Sequence, residues 1–152
     1  MSPRTLFVRL ADTEAVTWTL LLIGMFLKYV TKTTDVGVRV FGLFHGVVFL
    51  AYCVVAVAMW INQRWSAKVG LLALASAIPP YATIWFVRWA RGELDGPWRL
   101  GAGGEQPQTL PESVLAWALR RPVLAIVVGV VGVLAATSAL LWIGPPGSWQ
   151  GN

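Results

Sequence analysis

The chain has 152 residues, 57% of them hydrophobic and only 12% charged, with a formal net charge of +5. A mean hydropathy of +0.65 excludes a disordered tail, a charged coiled coil and an ordinary water-soluble globule. The basic surplus sits at the ends of long apolar blocks, so it points to lipid headgroups and membrane orientation; nucleic acid is not expected as a partner.

Four apolar blocks follow in chain order: Leu10–Leu27, Val38–Trp60, Val69–Trp89 and Val123–Ile143. Each is roughly 18–23 residues, enough to cross ~30 Å of hydrocarbon as a helix. Isolated strands cannot satisfy their backbone in lipid, so the expected fold is all-α. It is a polytopic helical membrane protein with a three-helix core (residues 6–91) and a fourth transmembrane helix. The short connections Thr31–Gly37 and Ile61–Lys68 predict antiparallel neighbours. No cleavable signal peptide is expected, because Asp12 and Glu14 interrupt the first block and no small-residue cleavage pattern precedes its end.

Residues 92–108, rich in Gly and Pro, read as a flexible linker. Thr109-Leu-Pro-Glu112 has capping-box spacing, so a helix is expected to start there as a short interfacial segment, with Trp117 at headgroup depth, before the fourth span. Residues 144–152 form an expected flexible tail. Trp60, Trp65, Trp85, Trp89, Trp117 and Trp142 lie near block ends, where an indole anchors at the membrane surface.

Orientation follows from Lys and Arg. If all four blocks cross, connections one–two and three–four share Lys28, Lys32, Arg39, Arg88, Arg91, Arg99, Arg120 and Arg121. That places these connections in the cytoplasm and both termini outside, in the inner cell membrane.

Polar groups inside apolar blocks are the candidates for function. Glu14 lies about one turn inside block one and is either an interfacial carboxylate reaching water or an ion- or proton-handling group facing the interior. His45 lies between Gly42 and Gly46, whose spacing predicts close helix–helix packing. It is either a neutral imidazole bonded to a neighbouring span, or a ligand, relay or metal contact. Pro79-Pro80 in mid-block frees the carbonyls of Ala75 and Ser76 and predicts a kink. Counting depth along the spans, His45 is expected to meet Tyr81, Thr83 or the kink more readily than Glu14. The candidate intramembrane site is therefore Glu14, His45, Tyr52, Tyr81 and Thr83. One His and the lone Cys53 give no expected metal site, disulfide or cofactor.

These residues also carry a resemblance. Glu14, Thr17, Leu20–Leu22 and Lys28-Tyr29, then His45-Gly46, Phe49 and Tyr52, then Ile78-Pro79 and Thr83 in a span ending near Arg88, resemble the DUF3817 family of small bacterial integral membrane proteins. The resemblance runs over about residues 6–91 and implies a three-helix membrane core without implying a reaction. Pro80-Tyr81-Ala82 departs from the Phe-Gly-type sequence expected before the threonine, and Val87 from an acidic residue.

The expected function is a non-enzymatic helical membrane module, or an oligomeric transport- or channel-type subunit, with a polar site around His45. Its partners would be the lipid bilayer and a homo-oligomer or larger membrane complex. The alternatives are an accessory or pH-sensing subunit, and a membrane-embedded enzyme using Glu14 and His45. No catalytic signature such as a Ser/His/Asp set, phosphate loop or dinucleotide fingerprint is present in the sequence.

Overall fold

The computed structural model describes residues 1–101 and 104–143, so the expected tail at 144–152, part of the linker and the Trp142 side chain lie outside the described residues. Among the described residues six α-helices follow in order: α1 Pro3–Met25, α2 Val36–Gln63, α3 Ala67–Ala75, α4 Ala82–Trp89, α5 Leu110–Arg120 and α6 Pro122–Ile143. Among the described residues there is no strand.

Helix α1 starts seven residues before the apolar block. Ser2 Oγ accepts from Thr5 N at 3.2 Å and Pro3 occupies the first turn, where its missing N–H is not needed. At its far end α1 loosens into a π-helical turn, Phe26–Val30. Together they form one apolar helix of 28 residues, and α2 is a second of 28 residues; both are long enough to cross a membrane. They pack antiparallel, and next to their connection the two backbones come very close. A Cβ on Gly24 would lie 2.7 Å from the Gly37 carbonyl carbon. The expected contact at Gly42 and Gly46 is corrected here: Gly42 makes an ordinary contact with Leu21, and nothing lies within 4 Å of a Cβ at Gly46.

Block three departs most from expectation. It is not one kinked crossing helix but a helical hairpin. Helix α3 ends at Ala75, residues 76–81 form a turn around Pro79-Pro80, and α4 runs back. The prolines remove backbone donors and forbid continuation, while Tyr81 takes a left-handed φ of 65°, a conformation that glycine adopts freely. The direction of α4 is fixed by its partners on α1: Thr83 meets Glu14, and one turn later Phe86 meets Phe7 edge to face. With nine and eight residues, α3 and α4 each rise only ~12–14 Å, less than half a bilayer core.

The hairpin therefore starts and ends at the same end of the bundle, beside the N-terminus. Trp65 Nε1 donates to the Glu93 carbonyl at 2.8 Å and Trp98 Nε1 to the Met1 carbonyl at 3.3 Å, and Arg4 pairs with Asp95. The expectation that connections one–two and three–four share a side fails for this reason. Trp65 is also not a surface anchor. It is buried in an aromatic core with Phe7, Tyr52 and Phe86, ring centroids 5.1–6.1 Å apart, where each pair adds roughly 0.5–1.5 kcal/mol beyond its area.

The segment expected to be a flexible linker is held against the end of α2. Asn62 Nδ2 donates to the Pro97 carbonyl at 3.1 Å, and Arg99 Nε donates to the Asn62 carbonyl at 2.8 Å. Leu94 and Leu100 are buried. Helix α5 begins where the capping box predicted, with Thr109 Oγ1 accepting from Glu112 N at 3.4 Å, and packs Leu115 and Ala116 on Ala58 and Ile61 of α2. The chain then bends by 114° into α6.

Candidate functional site

Glu14 sits on α1 with Ala11 and Ala15, small residues that let α4 approach, and it is fully buried. Its Oε2 accepts from Thr83 Oγ1 at 2.7 Å, whereas Oε1 has no hydrogen-bond partner. No cation pairs with it among the described residues. The reading of Glu14 as an interfacial carboxylate reaching water is thus overturned. One turn on, Trp18 Nε1 is likewise buried and faces the same carboxyl, so Oε1 has an indole N–H beside it without a close hydrogen bond.

His45 is buried against the same helix. Thr17 Oγ1 donates to the Glu14 carbonyl at 2.9 Å and lies 3.2 Å from His45 Nδ1. A hydroxyl has one proton, so with that proton on the Glu14 carbonyl the Nδ1–H of His45 is the donor and Nε2 is left as an acceptor. The imidazole also lies against Trp18, ring centroids 4.5 Å apart. His45 therefore bonds to a neighbouring span, but its partner is Thr17. The expected meeting with Tyr81, Thr83 or the proline turn does not occur: Tyr81 lies on Thr19 and Thr83 on Glu14.

Tyr52 forms a separate contact. Its hydroxyl lies 3.0 Å from Ser76 Oγ and 3.2 Å from the Ala73 carbonyl, at the end of α3. The Ala75 carbonyl, expected to be freed by Pro79, is taken by Ile78 N at 3.1 Å within the turn. Tyr81 is not drawn inside: it is half-exposed and its hydroxyl lies 3.1 Å from Thr19 Oγ1. Of the five expected site residues, the structure joins Glu14 with Thr83, brings His45 beside them through Thr17, and leaves Tyr52 and Tyr81 as anchors for the two arms of the hairpin.

Sequence reasoning missed a second polar constellation. Arg99, mostly buried, reaches Glu105 at 2.7 Å and Glu112 at 2.9 Å, while Arg64 reaches Glu112 at 3.4 Å. Gln108 N donates to Glu112 Oε2 at 2.8 Å. That backbone bond, and then the Arg99 guanidinium, pull the Glu112 carboxyl down to about 2. Arg64 can turn toward this cluster because it ends α2 in a left-handed conformation, φ 52°. The capping-box spacing was the one signal for Glu112; its guanidinium partners come from distant segments.

The family model described as "Domain of unknown function (DUF3817)" matches residues 4–92, and the chain belongs to that family. A protein of Streptomyces coelicolor, named as an inferred membrane protein, is 44% identical over 94 residues. The match covers 60% of this chain and 11% of the relative's length. No solved structure matches the chain.

Proposed function

We propose that this chain is a non-enzymatic integral membrane module whose polar centre, Glu14 with Thr83, Thr17 and His45, holds an exchangeable proton or a small cation inside a larger membrane assembly. The observation that carries this reading is the Glu14 carboxyl: fully buried with no cation beside it among the described residues, one oxygen on Thr83 and the other facing the Trp18 indole N–H without a close hydrogen bond. Ionisable groups are costly at membrane depth and mark ion or proton sites there. The small share of the Streptomyces relative that the match covers supports the module reading, since a similar unit lies within a much longer protein.

In this reading α6 is a third crossing helix. Its described apolar side chains, Val123 to Val131, are exposed in the isolated chain, as expected for a helix covered by lipid. In this reading the hairpin also reverses the orientation expected from sequence. Nine Lys and Arg residues (Arg4, Arg9, Arg64, Lys68, Arg88, Arg91, Arg99, Arg120 and Arg121) gather at the N-terminal end, against Lys28, Lys32 and Arg39 at the other. The positive-inside rule then favours a cytoplasmic N-terminus.

The test is infrared difference spectroscopy of the protein reconstituted in liposomes, with the carboxyl band of Glu14 assigned by its loss in Glu14→Gln. A band that responds to pH, or to exchanging sodium for a large organic cation, supports the reading. A Glu14 band that responds to neither makes the residue a fixed structural acid and overturns it.

A further inference from the structure

At the corner between α5 and α6 lies a cleft of about 480 Å³ lined by Pro107, Ser113, Ala116, Trp117, Arg120 and Arg121. We propose that it is a binding site for the phosphate of an anionic phospholipid headgroup.

Three independent features converge on that chemistry. The first is charge. The acids nearest in the fold, Glu105 and Glu112, are each held by Arg99 and Arg64. Arg120 and Arg121 form no ion pair among the described residues, so the cleft keeps two uncompensated guanidinium groups. Their planar forks match phosphate oxygens in pairs.

The second is the backbone. The 22-residue α6 starts at Pro122, so its first free peptide N–H groups and the positive end of its dipole stand beside the two arginines.

The third is depth. Helix α5 has two apolar faces. Leu115 and Ala116 are buried on α2, while Leu110, Val114 and Trp117, spaced i, i+4, i+7, stay 83%, 65% and 40% exposed. That outer stripe runs up to Arg121, and beyond the bend the apolar side chains of α6 from Val123 to Val131 are exposed as well. A free anion has no use for such a stripe, whereas a phospholipid would lay its acyl chains along it with the phosphate at the arginines. Trp117 in the cleft wall suits headgroup depth, where an indole can bury its ring and keep its N–H near water.

The experiment is native mass spectrometry of the full chain released from detergent, with phosphatidylglycerol, phosphatidylcholine or inorganic phosphate added in turn. Helicity by circular dichroism is checked for every variant. Phosphatidylglycerol should be retained and phosphatidylcholine should not. Replacing both arginines, R120Q with R121Q, should weaken phosphatidylglycerol retention by about 30-fold, given the effect of each basic residue near an anionic lipid surface. The charge-matched pair R88Q with R91Q, exposed at the same end of the bundle, should leave retention unchanged. Equal loss in both pairs would mean diffuse charge attraction and overturn the site. Unchanged retention in R120Q with R121Q would also overturn it. Saturation by inorganic phosphate with displacement of the lipid would assign the cleft to a free phosphoanion and overturn the lipid assignment.

Discussion

Thr83 Oγ1 donates to Glu14 Oε2 across 2.7 Å, joining residues 69 positions apart. That bond fastens the returning arm of the hairpin to the first long helix at the level where the chain buries a carboxyl. It also sets the register of the hairpin, because Phe86, one turn further, then falls on Phe7.

Replacing Thr83 by Val keeps the shape and removes the donor. The carboxyl would then be buried with neither oxygen bonded, so stability should fall by about 1–3 kcal/mol, while Thr83→Ser should retain most of it. Thermal unfolding in detergent, followed by circular dichroism, measures both. Equal stability of the valine and serine variants would show that the bond does not secure the hairpin.

The two glycine pairs make opposite predictions. Gly24→Ala would put a methyl 2.7–2.8 Å from the backbone of Gly37 and Val38, which cannot move without separating the helices. A loss of about 1–3 kcal/mol is expected. Gly46→Ala has open space around it and should be neutral, or stabilising by up to ~1 kcal/mol through helix propensity. The reverse ranking in the same unfolding assay would restore Gly42 and Gly46 as the packing surface.

Accessibility distinguishes a hairpin from a crossing helix. With Cys53 replaced by Ala, single cysteines introduced by Ser66→Cys and Gly92→Cys should react with a membrane-impermeant maleimide from the same side of a vesicle. Thr33→Cys should react from the other side. Labelling of positions 66 and 92 from opposite sides would mean that block three crosses the membrane after all.

Glu112 makes the attachment of α5 pH-dependent with a definite sign. Its folded value, about 2, lies below the ordinary 4.5, so ionised Glu112 stabilises the folded state above the ordinary value. That contribution is lost as pH falls from about 4.5 through about 2. The unfolding midpoint of the native chain should therefore exceed that of Glu112→Gln by a constant margin above pH 5, and the margin should shrink on acidification. A margin that grows toward low pH would contradict the Arg99 and Gln108 contacts as its source.

Much of the site was legible as residue types. A carboxyl, an imidazole and a threonine inside apolar blocks are costly enough to stand out, and Glu14, His45 and Thr83 do end up buried within one neighbourhood. Their pairing was not legible. Depth arithmetic assumed that every apolar block of crossing length crosses, and Pro79-Pro80 broke that assumption. A double proline stops a helix equally well at a kink or at a reversal, and nothing local separates the two outcomes. Arg99 and Glu112 were hidden for a related reason, since a Gly-rich segment looks flexible until the end of α2 supplies acceptors for it.

The amino-acid string alone settled the solvent. With 57% hydrophobic residues in long blocks and 12% charged, no water-soluble fold could cover its apolar surface, and helices are what such blocks form in lipid. The caps at Ser2 and Thr109, and the break at the prolines, were local too, because each depends on backbone donors within a few residues. The course of the chain after the prolines was decided by contacts between distant segments. Helix α4 turns back because Glu14, Phe7 and Trp65 together offer its one buried face a hydrogen bond and an aromatic pocket. That return gathers the arginines at one end of the bundle and makes the sign of the membrane orientation a tertiary property.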